Sequence, residues 1–184
     1  LTTATSEHRV ALEALGLQDD ALRRLAAYLD TLAAWSPRVN LTGARTPAER
    51  VRILVGDVLP ATRLADPGSL IDVGSGNGSP GLVFALVRDD IEVTLLEPRA
   101  RRWAFLREAA RAAGRGVRVR RLRHDGYPGP PARTLTLRAV GLPLAELGGL
   151  VLPGGRVLVL GGRPEAGGPF VATPEGADLA GGVT

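Results

Sequence analysis

The segment Asp72-Val73-Gly74-Ser75-Gly76-Asn77-Gly78 sets an acid and alternating glycines directly after the apolar run Leu70-Ile71. Glycines in that place let the backbone leave a buried strand, pass close to a ligand and turn sharply into a helix. The helix that follows, over 80–88, offers unpaired N–H groups and positive potential at its start. Glu97 closes a second apolar run over 91–96. At the end of the neighbouring strand it lies beside the loop, where a carboxylate can accept both hydroxyl hydrogens of a ribose. The combination points to a nucleotide-type cofactor site.

The nucleotide itself is open to two readings. Gly76-Asn77-Gly78-Ser79-Pro80-Gly81 has the form of the dinucleotide fingerprint G-x-G-x-x-G. Against NAD stand Asp72, two residues before the first glycine, and about seventy residues of largely helical pattern ahead of the first strand. Dinucleotide folds usually begin at that strand. An acid-x-Gly-x-Gly-x-Gly loop partnered by Glu97 suits S-adenosylmethionine, which carries no pyrophosphate, and that cofactor is the expectation. A glycine turn with no ligand is the bland alternative.

Other chemistry is scarce. There is no cysteine, which excludes disulfides, thiolate metal sites and cysteine nucleophiles. His8 and His124 are the only histidines, and neither sits in a catalytic triad or a metal-ligand pattern, so no metal is expected. His124 falls in a turn-rich stretch and reads first as a surface-loop residue.

Elements that could position these groups follow from periodicity. Over 6–65 the pattern is helical, with Leu22, Leu25, Ala26, Leu29, Leu32 and Ala33 on one stripe and Ser36-Pro37 as its stop. Thr46-Pro47-Ala48-Glu49 is a capping box opening a second helix, whose apolar face continues through Val51, Leu54, Val55 and Val58. From Pro67-Gly68 onward strands are predicted over 69–73, 91–96, 117–122, 134–140 and 156–160. Helices are predicted over 80–88 and 101–113, with a short one near 144–150. Such alternation implies a mostly parallel, doubly wound α/β sheet with helices on both faces. The expected organisation is a helical cap over 1–66, a core over 67–162 and a loosely ordered, Gly- and Pro-rich tail over 163–184, with a hint of strand over 169–172.

All the basic residues are arginine, and the net charge is +4. Base composition of the genome would explain an overall excess, but clustering says more. Ten arginines stand between Arg99 and Arg123, with Glu108 the only acid among them. Such density suits a solvated face opposite phosphates. Trp103, Phe105 and Tyr127 are too few for a base-stacking platform, so backbone contact is the expected mode. Length and a 45% hydrophobic content allow one α/β domain with a helical extension. No apolar run approaches a membrane span, and residues 1–7 lack a signal-peptide pattern, so a cytoplasmic protein is expected.

Several segments together resemble the bacterial small-subunit ribosomal RNA guanine-N7 methyltransferases, also called glucose-inhibited division protein B. They are Trp35 with Asn40-Leu41-Thr42, the run from Leu70 to Gly81, Val93-Thr94-Leu95-Leu96-Glu97, Arg101-Arg102 with Phe105-Leu106, and Arg138-Ala139. The resemblance implies a Rossmann-like S-adenosylmethionine-dependent methyltransferase fold with an N-terminal helical cap, delivering one methyl group to guanine N7 of ribosomal RNA. It implies cofactor contacts at Asp72, Gly74, Ser75, Gly76, Gly78, Glu97, His124, Asp125 and Arg138, with Glu97 on the ribose and Asp125 near the adenine. Arg138 also corresponds to an active-site-edge arginine of the family and is the candidate catalytic residue. Arg38, Asn40, Arg45, Arg101 and Arg102 are the candidate RNA contacts, with ribosomal RNA or the small subunit as partner and a monomer expected. Guanine N7 has a free in-plane lone pair and no proton to lose, so the reaction needs positioning and no general base. The chain departs from the family's pattern on the substrate side, at Ile53, Gly56 and Gly161. A small-molecule methyltransferase and a non-catalytic, cofactor-binding ribosome-associated protein are the rival readings.

Overall fold

Leu70, Ile71 and Val73, followed by Ile91, Val93, Leu95 and Leu96, are all buried. Near-continuous apolar runs of this kind belong to parallel strands covered on both faces. The computed structural model describes residues 6–161 and Phe170. In chain order it has α1 (Glu7–Glu13), α2 (Asp19–Trp35), α3 (Pro47–Val51), a π-helical turn (Arg52–Gly56), α4 (Leu59–Thr62), β1 (Gly68–Val73), α5 (Gly81–Val87) and β2 (Ile91–Leu96). Then come α6 (Ala100–Ala112), β3 (Arg118–Arg120), a 3₁₀ turn (His124–Gly126), β4 (Ala132–Arg138), a 3₁₀ segment (Leu144–Leu150) and β5 (Val151–Leu160). The expected tail and the hint of strand over 169–172 lie, Phe170 apart, outside the described residues.

The strands form one parallel sheet in the order β3-β2-β1-β4-β5. Val73 pairs with Leu96 on one side and Leu137 on the other, and Leu96 pairs with Arg120. The carboxyl ends of four strands therefore finish level. Strand order reverses between β1 and β4, which opens a crevice at that edge.

Right-handed crossovers place the β1–β2 and β2–β3 connections on one face and the β4–β5 connection on the other. The packing agrees. Leu70, Val93 and Leu95 face a core built with Leu82, Leu86, Phe105 and Leu106 from α5 and α6, and with Leu22, Leu25, Leu29 and Leu32 from α2. Trp35 meets Phe105 edge-on at 6.0 Å between ring centroids. The helical cap thus shares its core with the sheet. The second face is thinner: Ile71, Val73, Leu135 and Leu137 pack against Leu147 and Leu150 of the 3₁₀ segment.

The differences from expectation have local causes. The second cap helix is broken by the π turn after Val51, although Thr46 and Glu49 form the predicted capping box. β3 is only Arg118–Arg120, the stretch that pairs with Thr94–Leu96 of β2, although Val117 and Val119 both pack against the core. β4 ends at Arg138 because Ala139 takes φ +52°, which turns the chain out of the sheet. β5 starts early, at Val151, and bulges before Arg156 rejoins the ladder beside Thr134. The segment over 144–150 is a 3₁₀ helix, matching its Gly148-Gly149 content.

Candidate functional site

The glycine loop is held against β2 by its own backbone. The amides of Gly74 and Ser75 both donate to the Leu96 carbonyl, at 2.9 and 3.0 Å. The Gly76 amide donates to Glu97 Oε2 at 2.9 Å, and the Arg99 amide to Glu97 Oε1 at 2.8 Å. Glu97 is 2% exposed, so its carboxylate is fixed by two backbone donors. Each carboxylate oxygen keeps lone-pair capacity for a ligand hydroxyl. Gly74 has φ +71°, and a Cβ there would lie 2.9 Å from Val140 Cγ2. A side chain at this position would be strained and would also close the gap between the loops after β1 and β4.

Asp72 lies beneath the loop and does not line the cleft. Thr136 Oγ1 donates to its Oδ1 at 2.6 Å. Oδ2 has no hydrogen-bond partner. The Ser75 hydroxyl, which donates instead to the Asp72 carbonyl at 3.0 Å, and the Gly81 amide are close enough to temper its charge without closing onto Oδ2. Burial pushes the Asp72 carboxyl up to about 6, against the opposing Thr136 hydrogen bond. Gly81 is glycine for a steric reason: a Cβ there would sit 2.6 Å from Asp72 Cγ. Asp72 and Gly78 therefore shape the loop from below, Gly78 packing against the ring of Tyr28.

The cap grips the loop by side chains far apart in sequence. Tyr28 Oη donates to the Asn77 carbonyl at 2.8 Å, and burial pushes its phenol upward. Asn77 Nδ2 donates to the Leu41 carbonyl at 3.0 Å while its Oδ1 accepts from the Ser79 amide at 3.1 Å. Ser79 Oγ donates to the Leu54 carbonyl at 2.8 Å and accepts from Arg138 Nη1 at 2.9 Å. Arg138 also approaches Asp57 Oδ2 at 3.8 Å. Residues 40–42 are thus a strut between cap and loop, an assignment that periodicity could not supply.

These parts enclose a cleft of about 630 Å³ at the carboxyl edge of the sheet, within the usual range for ligand sites. Gly74, Ser75 and Gly76, Glu97, His124 and Arg138 line it, together with Leu41–Gly43 and Ile53 from the cap. His124 is not the surface residue its turn-rich context suggests: it is 7% exposed, with Nε2 3.3 Å from Glu146 Oε2. Asp125 is exposed, pairs with Arg123 at 3.3 Å and is absent from the cleft wall. In a 3₁₀ turn successive side chains diverge by about 120°, so His124 turns inward and Asp125 outward. Glu146 and Asp57 carried no motif signal and were missed.

The arginines also divide. Arg111 pairs with Glu108 at 2.6 Å and Arg118 with Glu92 at 3.1 Å. Arg115 donates to the carbonyls of Ala85, Arg88 and Asp89, binding the C-terminus of α5. Arg107 stacks over Trp103 at 4.9 Å. Arg99, Arg101, Arg120 and Arg121 are exposed and make no side-chain hydrogen bond or ion pair. Arg99 and Arg101 stand at the start of α6, and Arg120 and Arg121 at the end of β3, whereas Arg111 lies in the last turn of α6, Arg115 just beyond it and Arg118 at the start of β3. The candidate RNA contacts Arg38, Asn40, Arg45 and Arg101 are exposed. Arg102 differs in burial: it lines the cleft, half-buried, and Nη2 donates to the Asn40 carbonyl at 3.0 Å.

The arrangement fits a nucleoside with a charged tail: a fixed acceptor for ribose hydroxyls, an open glycine loop, and cations near the wall. Among the described residues no group of three acids or histidines could hold a metal, and no helix is long and apolar enough to cross a membrane. Comparison with known proteins accords with this geometry. Residues 21–166 match the family model for rRNA small subunit methyltransferase G. The chain is 39% identical over 159 residues to ribosomal RNA small subunit methyltransferase G of Halorhodospira halophila, spanning 83% of this chain and 76% of that one. Among solved structures, coclaurine N-methyltransferase bound to N-methylheliamine and S-adenosylhomocysteine superposes with TM-score 0.54 at 12% identity, covering 83% of this chain and 56% of that one. Precorrin 8w decarboxylase of Methanobacterium thermoautotrophicum gives 0.51 at 19% identity, covering 65% of each chain. The two likenesses speak to fold alone, and their differing activities underline that fold does not fix chemistry.

Proposed function

The chain belongs to the rRNA small subunit methyltransferase G family, and on that premise we propose that its cleft carries out methyl transfer to N7 of a guanine in small-subunit ribosomal RNA. S-adenosylmethionine is the cofactor of this methyltransferase fold. When bound it supplies an electrophilic methyl on a sulfonium centre. The observation that carries the reading is the buried Glu97 carboxylate, fixed by the Gly76 and Arg99 amides beside an open glycine loop. That is an acceptor built in advance for two ribose hydroxyls.

The chain's residues position and exclude rather than exchange protons. Gly74, Ser75 and Gly76 form a backbone surface on which the cofactor lies, and Glu97 orients its ribose. His124, held near Glu146, walls the side beyond β2. Arg138, steadied by Ser79 and Asp57, stands at the edge where a base would enter. N7 already presents its lone pair, so a cleft with no general base is sufficient, and alignment alone removes much of the barrier. The unpaired Arg99, Arg101, Arg120 and Arg121 favour a phosphate backbone at the mouth, with Arg38, Asn40 and Arg45 on the cap side. We place the reaction in the cytoplasm, on ribosomal RNA or the small subunit, with the protein acting as a monomer.

The test is incubation with radiolabelled S-adenosylmethionine and either small subunits or naked ribosomal RNA from cells lacking the modification. Label in RNA supports the reading. Cofactor binding without transfer to either substrate would leave a non-catalytic, ribosome-associated protein. Transfer only to small molecules would favour a different substrate class.

A further inference from the structure

Arg102 is the unexplained charge in the cleft. Its guanidinium is half-buried and bonded to one neutral group, the Asn40 carbonyl at 3.0 Å. A Cβ on Gly76 would lie 3.6 Å from its Nη1, so the cation rests against the glycine loop. Among the described residues no carboxylate pairs with it. The other arginines of the wall differ. Arg138 is engaged by Ser79 and Asp57, Arg123 is paired with Asp125, and Arg99 is exposed. A guanidinium carries five donors in a planar fork matched to a carboxylate, and one of them suffices for Asn40.

We propose that Arg102 holds the α-carboxylate of the cofactor's methionine end, acting as a cofactor-binding residue and not as an RNA contact. The inference deepens the methyltransferase reading and rests on it. With the ribose at Glu97, the order β3-β2-β1 sends the ends of a bound nucleoside toward β3 and toward the loop after β1. The β3 side offers Leu122 and His124, suited to a planar base. The β1 side offers loop amides and the unneutralised Arg102, suited to an amino-acid end. Because Arg102 also ties Asn40 to α6, carboxylate binding there would tighten the strut between cap and loop.

The experiment compares two ligands by calorimetry on the full chain: S-adenosylhomocysteine and its decarboxylated form, S-adenosyl-3-thiopropylamine. The wild-type protein should prefer the first by about ten- to hundredfold, the value of a hydrogen-bonded charge partner. R102Q should lose that preference while binding the decarboxylated ligand as the wild type does, and R102K should recover part of it. Equal affinities in the wild type would overturn the inference, as would a preference that survives R102Q but disappears in R138Q. Equal loss of both ligands in R102Q would assign Arg102 a purely structural role. Failure of the wild type to bind either ligand would instead refute the cofactor reading itself.

Discussion

Glu97→Gln separates the two tasks assigned to one carboxylate. In the native structure Oε1 and Oε2 each accept a backbone amide, from Arg99 at 2.8 Å and from Gly76 at 2.9 Å. Glutamine keeps the shape but has only one oxygen, so its NH₂ must face one of those amides. Losing a buried, charge-assisted hydrogen bond costs about 1–3 kcal/mol of stability. The ribose loses its charged acceptor as well, which at about 1.5–3 kcal/mol corresponds to ten- to hundredfold weaker binding. Denaturant unfolding reads the first effect and calorimetry with S-adenosylhomocysteine the second. A dideoxyadenosyl analogue refines the test: the native protein should discriminate against it strongly, and the variant hardly at all. If Glu97→Gln lowers stability but keeps affinity within twofold, Glu97 only braces the loop and the ribose assignment is wrong.

Four further outcomes are expected. Asp72 has a folded value of about 6, above its ordinary 3.8, so the fold favours the protonated form. Its contribution is complete below about pH 4 and lost as pH rises through 6, at most about 3 kcal/mol. The stability difference between wild type and Asp72→Asn should shift by that amount from pH 4 to 7.5 in denaturant titrations, and a flat difference would contradict it. Gly74→Val, with φ +71° and Val140 at 2.9 Å, should abolish cofactor binding by calorimetry, and unchanged affinity would show the loop misread. Arg115→Ala should cost about 1–3 kcal/mol of stability and leave RNA affinity alone. The combination Arg99→Ser, Arg101→Ser, Arg120→Ser and Arg121→Ser should spare stability and lower the slope of log affinity against log salt by about 3; the opposite assignment of effects would contradict the division of arginines.

The parts legible in sequence were those encoded locally. The glycine loop follows from residues adjacent in the chain, and Glu97 from the strand that ends beside it. The capping box at Thr46 and Glu49 is a four-residue signal and forms in the structure. What stayed hidden depends on reach between distant segments. Tyr28 holds Asn77 across 49 positions, and Arg102 reaches Asn40 across 62. Neither spacing has a period to detect. His124 and Asp125 show the finer limit: adjacent residues in one short turn, of which the strand order and a 3₁₀ twist bring only the first to the cleft. Asp72 reads as part of a ligand loop because of its place in the motif, yet in the structure it supports the loop from beneath. The π turn before Asp57 arises inside a smooth apolar pattern, and brings to Arg138 a partner that an uninterrupted helix would aim elsewhere.

On the proposed reading this cleft methylates guanine N7 in small-subunit ribosomal RNA. Methylation at N7 leaves a cationic ring that borohydride reduces and aniline then cleaves at the modified nucleotide. Unmodified small subunits treated with the protein and S-adenosylmethionine should give one new cleavage site under that chemistry, absent when the Gly74→Val protein is used. Methyl incorporation that leaves the RNA uncleaved, or no incorporation by a protein that binds the cofactor, would contradict the account.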